Sequence, residues 1–445
     1  METQTEFVVA ERRCIGLDVH REFAQVAVWQ GGLVWQAGRF ATTPEGVRGF
    51  AEQLGPADEV ALEATGNTWA IATVLASRAG RVVVSNPAKT RAIAEAKVKT
   101  DKVDAEILAQ LLAADYLPAV WRPDPATAAL RRQVLRRAHI VRQRTRLKNQ
   151  VHAILHRNLI PRCPAADLFG HKGRRWLAAQ DLPPDERGAA TALLRQLDFH
   201  AQELREIDTD LGQVALGRPE VLRLMTVPGI DATVALSIVA AVGDFTRFRT
   251  PEKLVAYLGL NPRVRQSGGQ PASHGRITKA GPAHARGMLV EAAWSASKAP
   301  GPLRAFYQRV AARRGMQVAV VAAARKLTVL CWHLIIKGED YAYAQPSLVA
   351  HKRRKLELRA GAPAARGQKG KAAGYSLKAV RAAERDLIAQ AERAYQLTVA
   401  AWQPTRPTAA ATPGRAGARR SGVDVAATNG ARLSRPSRGN AARQG

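Results

Sequence analysis

The chain has 445 residues, 46% of them hydrophobic, and a formal net charge of +30 at pH 7. That is enough for two or three domains with ordinary cores, and it excludes a wholly disordered polymer. Three widely spaced cysteines, Cys14, Cys163 and Cys331, exclude both a disulfide framework and a CxxC zinc pair and suit small apolar filling instead.

In chain order, residues 12–18 (RRCIGLD), 23–29 (FAQVAVW) and 33–40 (LVWQAGRF) are short, β-rich and separated by turn residues, which predicts a three-strand meander. Pro44 opens a helix to about Leu54, followed by a strand at 58–63, a helix near 68–79 and a strand at 81–85. Helices then start at Pro87 and at Asp101, the second running to Asp115. The order matches a ribonuclease H-like fold, although another mixed-sheet domain fits the same elements and only the positions of the acids separate the two. Asp18 ends the first strand and Glu63 ends the fourth, while Asp101 and Asp104 stand three apart at a helix start with Thr100 as the expected N-cap. Such a group of acids repels itself unless a cation sits among it, and hard oxygen donors suit Mg²⁺ or Mn²⁺ in phosphodiester chemistry. Each acid alone has a plainer reading: Asp18 as a turn residue, Asp101 and Asp104 as partners of a helix dipole. Lys97, Lys99 and Lys102 flank the group, either to touch phosphates or to screen the repulsion.

From Pro125 to about Leu159 apolar residues recur by threes, fours and sevens, predicting a long helix. Its other face is basic, and Arg131, Arg132, Arg136, Arg137, Arg144 and Lys148 are candidate nucleic-acid contacts. Residues 189–216 form a second helical stretch able to pair antiparallel with it as a coiled coil. Residues 222–243 read as a helix-hairpin-helix or a plain helical hairpin; in the first case Pro228 and Gly229 make a turn whose backbone N–H groups meet a phosphate. Downstream, Ser267 precedes two glycines in a polar stretch ringed by Arg263, Arg265, Arg276, Lys279 and Arg286. A serine there is either an ordinary loop residue or a nucleophile set among cations. Residues 316–336 are apolar but broken by Arg325 and Lys326, so a buried helix is expected and, without a signal pattern, a cytoplasmic protein. Beyond 345 the chain is rich in Ala, Arg, Gly and Pro, with one helix at 376–402 and disorder expected from Gln403.

Charge is divided unevenly along the chain. Residues 1–118 carry 12 Lys+Arg against 15 Asp+Glu, residues 119–350 carry 35 against 17, and residues 351–445 carry 20 against 5. The acids thus lie in the part that is not basic, and the remainder supplies attraction for a polyanion. The expected architecture is α/β plus all-α: a catalytic domain at 1–118, a basic helical region at 119–217, a helical domain at 218–345 and a basic tail at 346–445.

The motifs GLDVH, ALEATG, KTDKVDAEILA, LMTVPGI, YLGLNP and SGG…GRITKAGPAHAR, in this order, resemble the DEDD transposases of the IS-110 insertion-sequence group, which includes Piv-type DNA invertases. The resemblance spans about residues 12–340. It implies a RuvC-like domain in which Asp18, Glu63, Asp101 and Asp104 hold Mg²⁺ (or Mn²⁺), and it makes Ser267 the nucleophile of a phosphoserine intermediate in DNA strand exchange. It also implies a homodimer or homotetramer on DNA and a structured guide RNA. Two other readings remain from the residues: a Holliday-junction-type endonuclease that uses only the acids and water, and a non-catalytic nucleic-acid-binding relic.

Overall fold

The computed structural model describes residues 12–94, 100–268, 271–363 and 377–401. Three strands, β1 (Arg13–Val19), β2 (Phe23–Gln30) and β3 (Leu33–Ala41), form the expected antiparallel meander. After α1 (Pro44–Ala51), β4 (Asp58–Glu63) pairs parallel with β1; after α2 (Thr68–Leu75), β5 (Arg81–Ser85) pairs parallel with β4. The sheet order is therefore β3-β2-β1-β4-β5. Helices α3 (Pro87–Ile93) and α4 (Asp101–Ala113) complete this α/β part. Lys97 and Lys99 lie outside the described residues.

Strand alternation sorts the sheet's two faces. Ile15, Leu17, Val60, Leu62 and Val84 pack with Val47, Ile71 and Leu75 beneath α1 and α2. Cys14, Ala61 and Val83 face the other way, onto Leu108 and Leu112 of α4. Asp18, Glu63 and Ser85 follow those three residues at steps of two or four and so belong to the α4 face.

The rest of the described residues are almost wholly helical. Helices α5 (Pro125–Arg157) and α7 (Pro184–Leu216) flank the short α6 (His171–Ala178). The ion pairs Arg137–Asp208 and Arg157–Glu186 show α5 and α7 lying antiparallel, because the residue number rises along one as it falls along the other, and Arg136–Glu203 adds a third link between them. Then come α8 (Pro219–Leu224), α9 (Ala232–Val242), α10 (Pro251–Tyr257), a hairpin of β6 (Pro262–Arg265) and β7 (Ser273–Ile277), α11 (Ala283–Ala296), α12 (Pro302–Arg314) and α13 (Met316–Lys337). By length and composition α13 is apolar enough to cross a membrane, yet Val320, Ala323, Leu327, Cys331 and Leu334 lie in the core shared with α9 and α11. The link into this region is held by Trp121: Arg247 lies over its ring at 4.4 Å and Arg131 at 5.2 Å.

Past residue 345 the chain departs from the expected loose tail. The unforeseen α14 (Pro346–Arg359) buries Leu356 in the helical core, and its Lys352 donates to Met225 O at 2.8 Å and Val227 O at 2.7 Å. The helix expected at 376–402 is α15 (Lys378–Ala401), whose buried Glu392 accepts from Gly301 N and pairs with Arg304. The basic run from His351 to Lys355 hid the packing face of α14. The expected disorder from Gln403 falls outside the described residues.

Burial lowers the Lys352 ammonium to about 8, from an ordinary value of 10.5. The unfolded chain then binds more protons than the folded one between these two values, so folding stability is lowest below about 8 and rises toward 10.5. Lys352→Met should flatten that part of the stability–pH curve, as read by urea unfolding at pH 7.5, 9 and 10. Removing residues 346–445 should lower the thermal unfolding midpoint of the helical region.

Candidate metal and strand-transfer site

The acidic group is built by a close contact between a strand and a helix. A Cβ on Gly16 would lie 2.0 Å from Ala105 O and 2.6 Å from Ala109 N, so only glycine lets β1 approach α4 this closely. Cys14 meets Leu108 and Leu112 farther along, so α4 runs antiparallel to β1 and its first turn arrives at Asp18. That turn starts where Thr100 caps it, its hydroxyl accepting from Val103 N, and carries Asp101 and Asp104. A polar chain holds it from the side. Gln25, opposite Asp18 on β2, donates to Gln36, which donates to Lys102 O at 3.1 Å and Glu106 Oε1 at 2.7 Å.

Donor atoms of Asp18, His20 and Asp101 lie within 4.8 Å of one another. His20 Nε2 is 3.0 Å from Asp18 Oδ2 and 3.4 Å from Asp101 Oδ1. Burial pushes the Asp18 carboxyl above the usual range; Asp104 and Asp101 push it the same way, against the opposing pull of His20. Glu63 ends β4 next to Asp18, one register step beyond the Leu17–Leu62 pair. Across from Glu63 on β5, the hydroxyl of Ser85 is fully buried with no hydrogen-bond partner among the described residues. Asp18, Asp101 and Asp104 therefore gather, with Glu63 on the adjacent strand end. Sequence reasoning missed His20, although it lies two residues past Asp18 in the quoted motif GLDVH.

Ser267 lies elsewhere. It is exposed in the loop joining β6 to β7, and its hydroxyl has no hydrogen-bond partner among the described residues. The hairpin base is fixed to the helical region by Thr278 N donating to Asn261 O and Lys279 N to Gly259 O. Arg265, Arg276 and Lys279 are exposed and form no ion pair among the described residues.

Several expected nucleic-acid contacts serve the protein's own frame. Arg131 donates to Ala240 O and Ala241 O, covering the carbonyl end of α9, and Arg286 donates to Leu258 O and Ala280 O beyond α10. Arg137 pairs with Asp208, Arg136 with Glu203, and Lys148 sits over the ring of Phe169. The Arg144 Nε is buried, whereas Arg132 is exposed. The turn at Pro228 and Gly229, expected to face a phosphate, also has a packing reason. Pro228 is buried, Gly229 has φ +86°, and a Cβ there would meet Ala292 O of α11 at 2.3 Å. The helix that follows has its N-terminus capped by Asp231, an acid where a phosphate would dock.

A family model described as "Transposase" matches residues 15–159, and one described as "Transposase IS116/IS110/IS902 family" matches residues 221–308. The y4qE protein of Sinorhizobium fredii is 28% identical over 289 residues, covering 63% of this chain and 71% of its own. The transposase for insertion sequence element IS1111A of Coxiella burnetii is 25% identical, covering 55% and 68%. The pilin gene-inverting protein of Moraxella bovis is 27% identical, covering 46% and 57%.

Two substitutions test the construction of the acidic group. Gly16→Ala should push α4 from β1 and destabilise the protein by about 1–3 kcal/mol in urea unfolding, the usual range for overpacking. Asp18→Asn should raise the thermal midpoint of chelator-treated protein, because it removes a carboxylate held against its neighbours' charge.

Proposed function

The chain belongs to the IS110 family of transposases, and from that membership we propose a DNA recombinase whose ribonuclease H-like (RuvC-like) domain binds Mg²⁺ or Mn²⁺ through Asp18, Glu63, Asp101 and Asp104. The observation that carries this reading is the meeting of Asp18 and Asp101 donor atoms within 4.8 Å where the first turn of α4 crosses the end of β1. All four acids offer hard oxygens, and the Ser85 hydroxyl, without a partner among the described residues, lies one strand from Glu63, a donor set that fits a small divalent cation. When bound, such a cation neutralises charge on an attacked phosphate.

Ser267 is the nucleophile in this reading. Its Oγ forms a bond to phosphorus while one bridging P–O bond of the DNA backbone breaks; the serine proton is lost to a base or solvent, and the departing sugar oxygen gains one. A second DNA hydroxyl then attacks the phosphoserine, and the serine oxygen leaves and is reprotonated. The exposed cations Arg265, Arg276 and Lys279 on the same hairpin suit the charge that develops at phosphorus. An exposed serine on a separate hairpin also suits a site shared between two protomers, the acids of one meeting the serine of the other. A homodimer or homotetramer on DNA, and a structured guide RNA as a further partner, are what the family resemblance implies. The domains of this reading are the acid-bearing α/β domain at 1–118, the paired helices as a coiled coil at 119–217, and a unit from 218 to which α14 is joined by Leu356 and α15 by the Arg304–Glu392 pair.

Ser267→Ala should abolish a covalent protein–DNA adduct while leaving DNA binding intact in a gel-shift assay. An adduct that survives in that variant removes the serine mechanism and favours a nuclease that uses the acids and water alone. Asp104→Asn should lower metal-dependent strand cleavage by about 100-fold or more, the upper end of the usual cost of disturbing a metal's surroundings. Cleavage at the wild-type rate would refute the metal assignment.

A further inference from the structure

We propose that His20 is itself a ligand of the divalent cation held by the carboxylates, and that its nitrogen tilts the centre toward Mn²⁺ over Mg²⁺. The inference rests on the metal-dependent reading above and deepens it.

Geometry carries the argument. Around an octahedral ion with bonds of about 2.1 Å, neighbouring donor atoms stand about 3 Å apart. His20 Nε2 lies 3.0 Å from Asp18 Oδ2 and 3.4 Å from Asp101 Oδ1, close to the spacing of adjacent donors on one ion. The histidine is also held in place. Its backbone N–H donates to Phe23 O at 2.9 Å across the turn from β1 to β2, and its ring lies 4.9 Å from the Phe23 ring. The side chains of His20 and Asp101 are 41% and 42% exposed, so water reaches the same point and can complete the coordination shell. An imidazole that only tied two carboxylates together would leave the metal centre all-oxygen. An imidazole that binds the ion gives it a borderline nitrogen donor, which Mn²⁺ accepts more readily than Mg²⁺ does.

The test uses the full-length protein, stripped with chelator and loaded with less than one equivalent of MnCl₂. Pulsed electron paramagnetic resonance should show ¹⁴N coupling of a directly bound imidazole, and this coupling should vanish in His20→Gln. In parallel titrations His20→Gln should lose about tenfold in Mn²⁺ affinity and little in Mg²⁺ affinity. Mn²⁺ bound to the wild-type protein without ¹⁴N coupling, or coupling that persists in His20→Gln, overturns the role of His20 while the carboxylate centre stands. A protein that binds no Mn²⁺ at all overturns the carboxylate centre, and the inference with it. The wild-type spectrum decides even if the variant fails to fold.

Discussion

The close approach of α4 to β1 at Gly16 is the constraint on which the site depends. Two backbones come so near that any side chain at that position would collide with Ala105 O. The consequence is local: the first turn of α4, with its capping threonine and its acids, is brought against the end of the strand that carries Asp18. Hydrophobic packing of Cys14, Ala61 and Val83 on Leu108 and Leu112 holds the far end of the helix, and the Gln25–Gln36–Glu106 chain steadies the near end. A site built this way sits on a strand and a helix, which fix side chains more firmly than loops do.

Electrostatics then divides the molecule into two roles. The acid-bearing part carries 12 Lys+Arg against 15 Asp+Glu, so it offers no excess of positive charge to quench its own carboxylates. Ionised Asp18 is disfavoured by burial and by Asp104 and Asp101, with His20 as its favourable neighbour among the described residues. That unresolved repulsion is what a divalent cation would relieve. Elsewhere the positive charge is abundant, but a share of it is committed. Arg131 and Arg286 cover the carbonyl ends of helices, Arg137 and Arg157 join α5 to α7, and Arg247 is packed among Trp121, Phe248 and Tyr257. The exposed cations of the β6–β7 hairpin and Arg132 remain turned to solvent.

The C-terminal region shows how composition misleads when packing is sparse. Residues 346–359 look like a solvated basic stretch, yet Leu356 alone anchors them in the core and Lys352 reaches two carbonyls of the α8–α9 turn. The same contacts explain why Pro228 and Gly229 are spoken for. Their turn is covered by α11 on one side and tied to α14 on the other, so it serves as a junction between helices.

Much of the fold was legible in the residues themselves. Strand alternation, proline starts and capping residues located β1 to β5 and α4 because these signals are local, and the heptad-like spacing did the same for α5. The pairing of Asp18 with the start of α4 was legible only as a hypothesis, since periodicity says which residues share a face and not which faces meet. Tertiary structure decided the remainder: the backbone contact that makes Gly16 obligatory, the insertion of His20 between two carboxylates, and the division of arginines between internal carbonyls and open solvent. Each of these depends on atoms far apart in the chain arriving within about 3 Å of one another, the range of a hydrogen bond, and no pattern of neighbours along the chain encodes that distance.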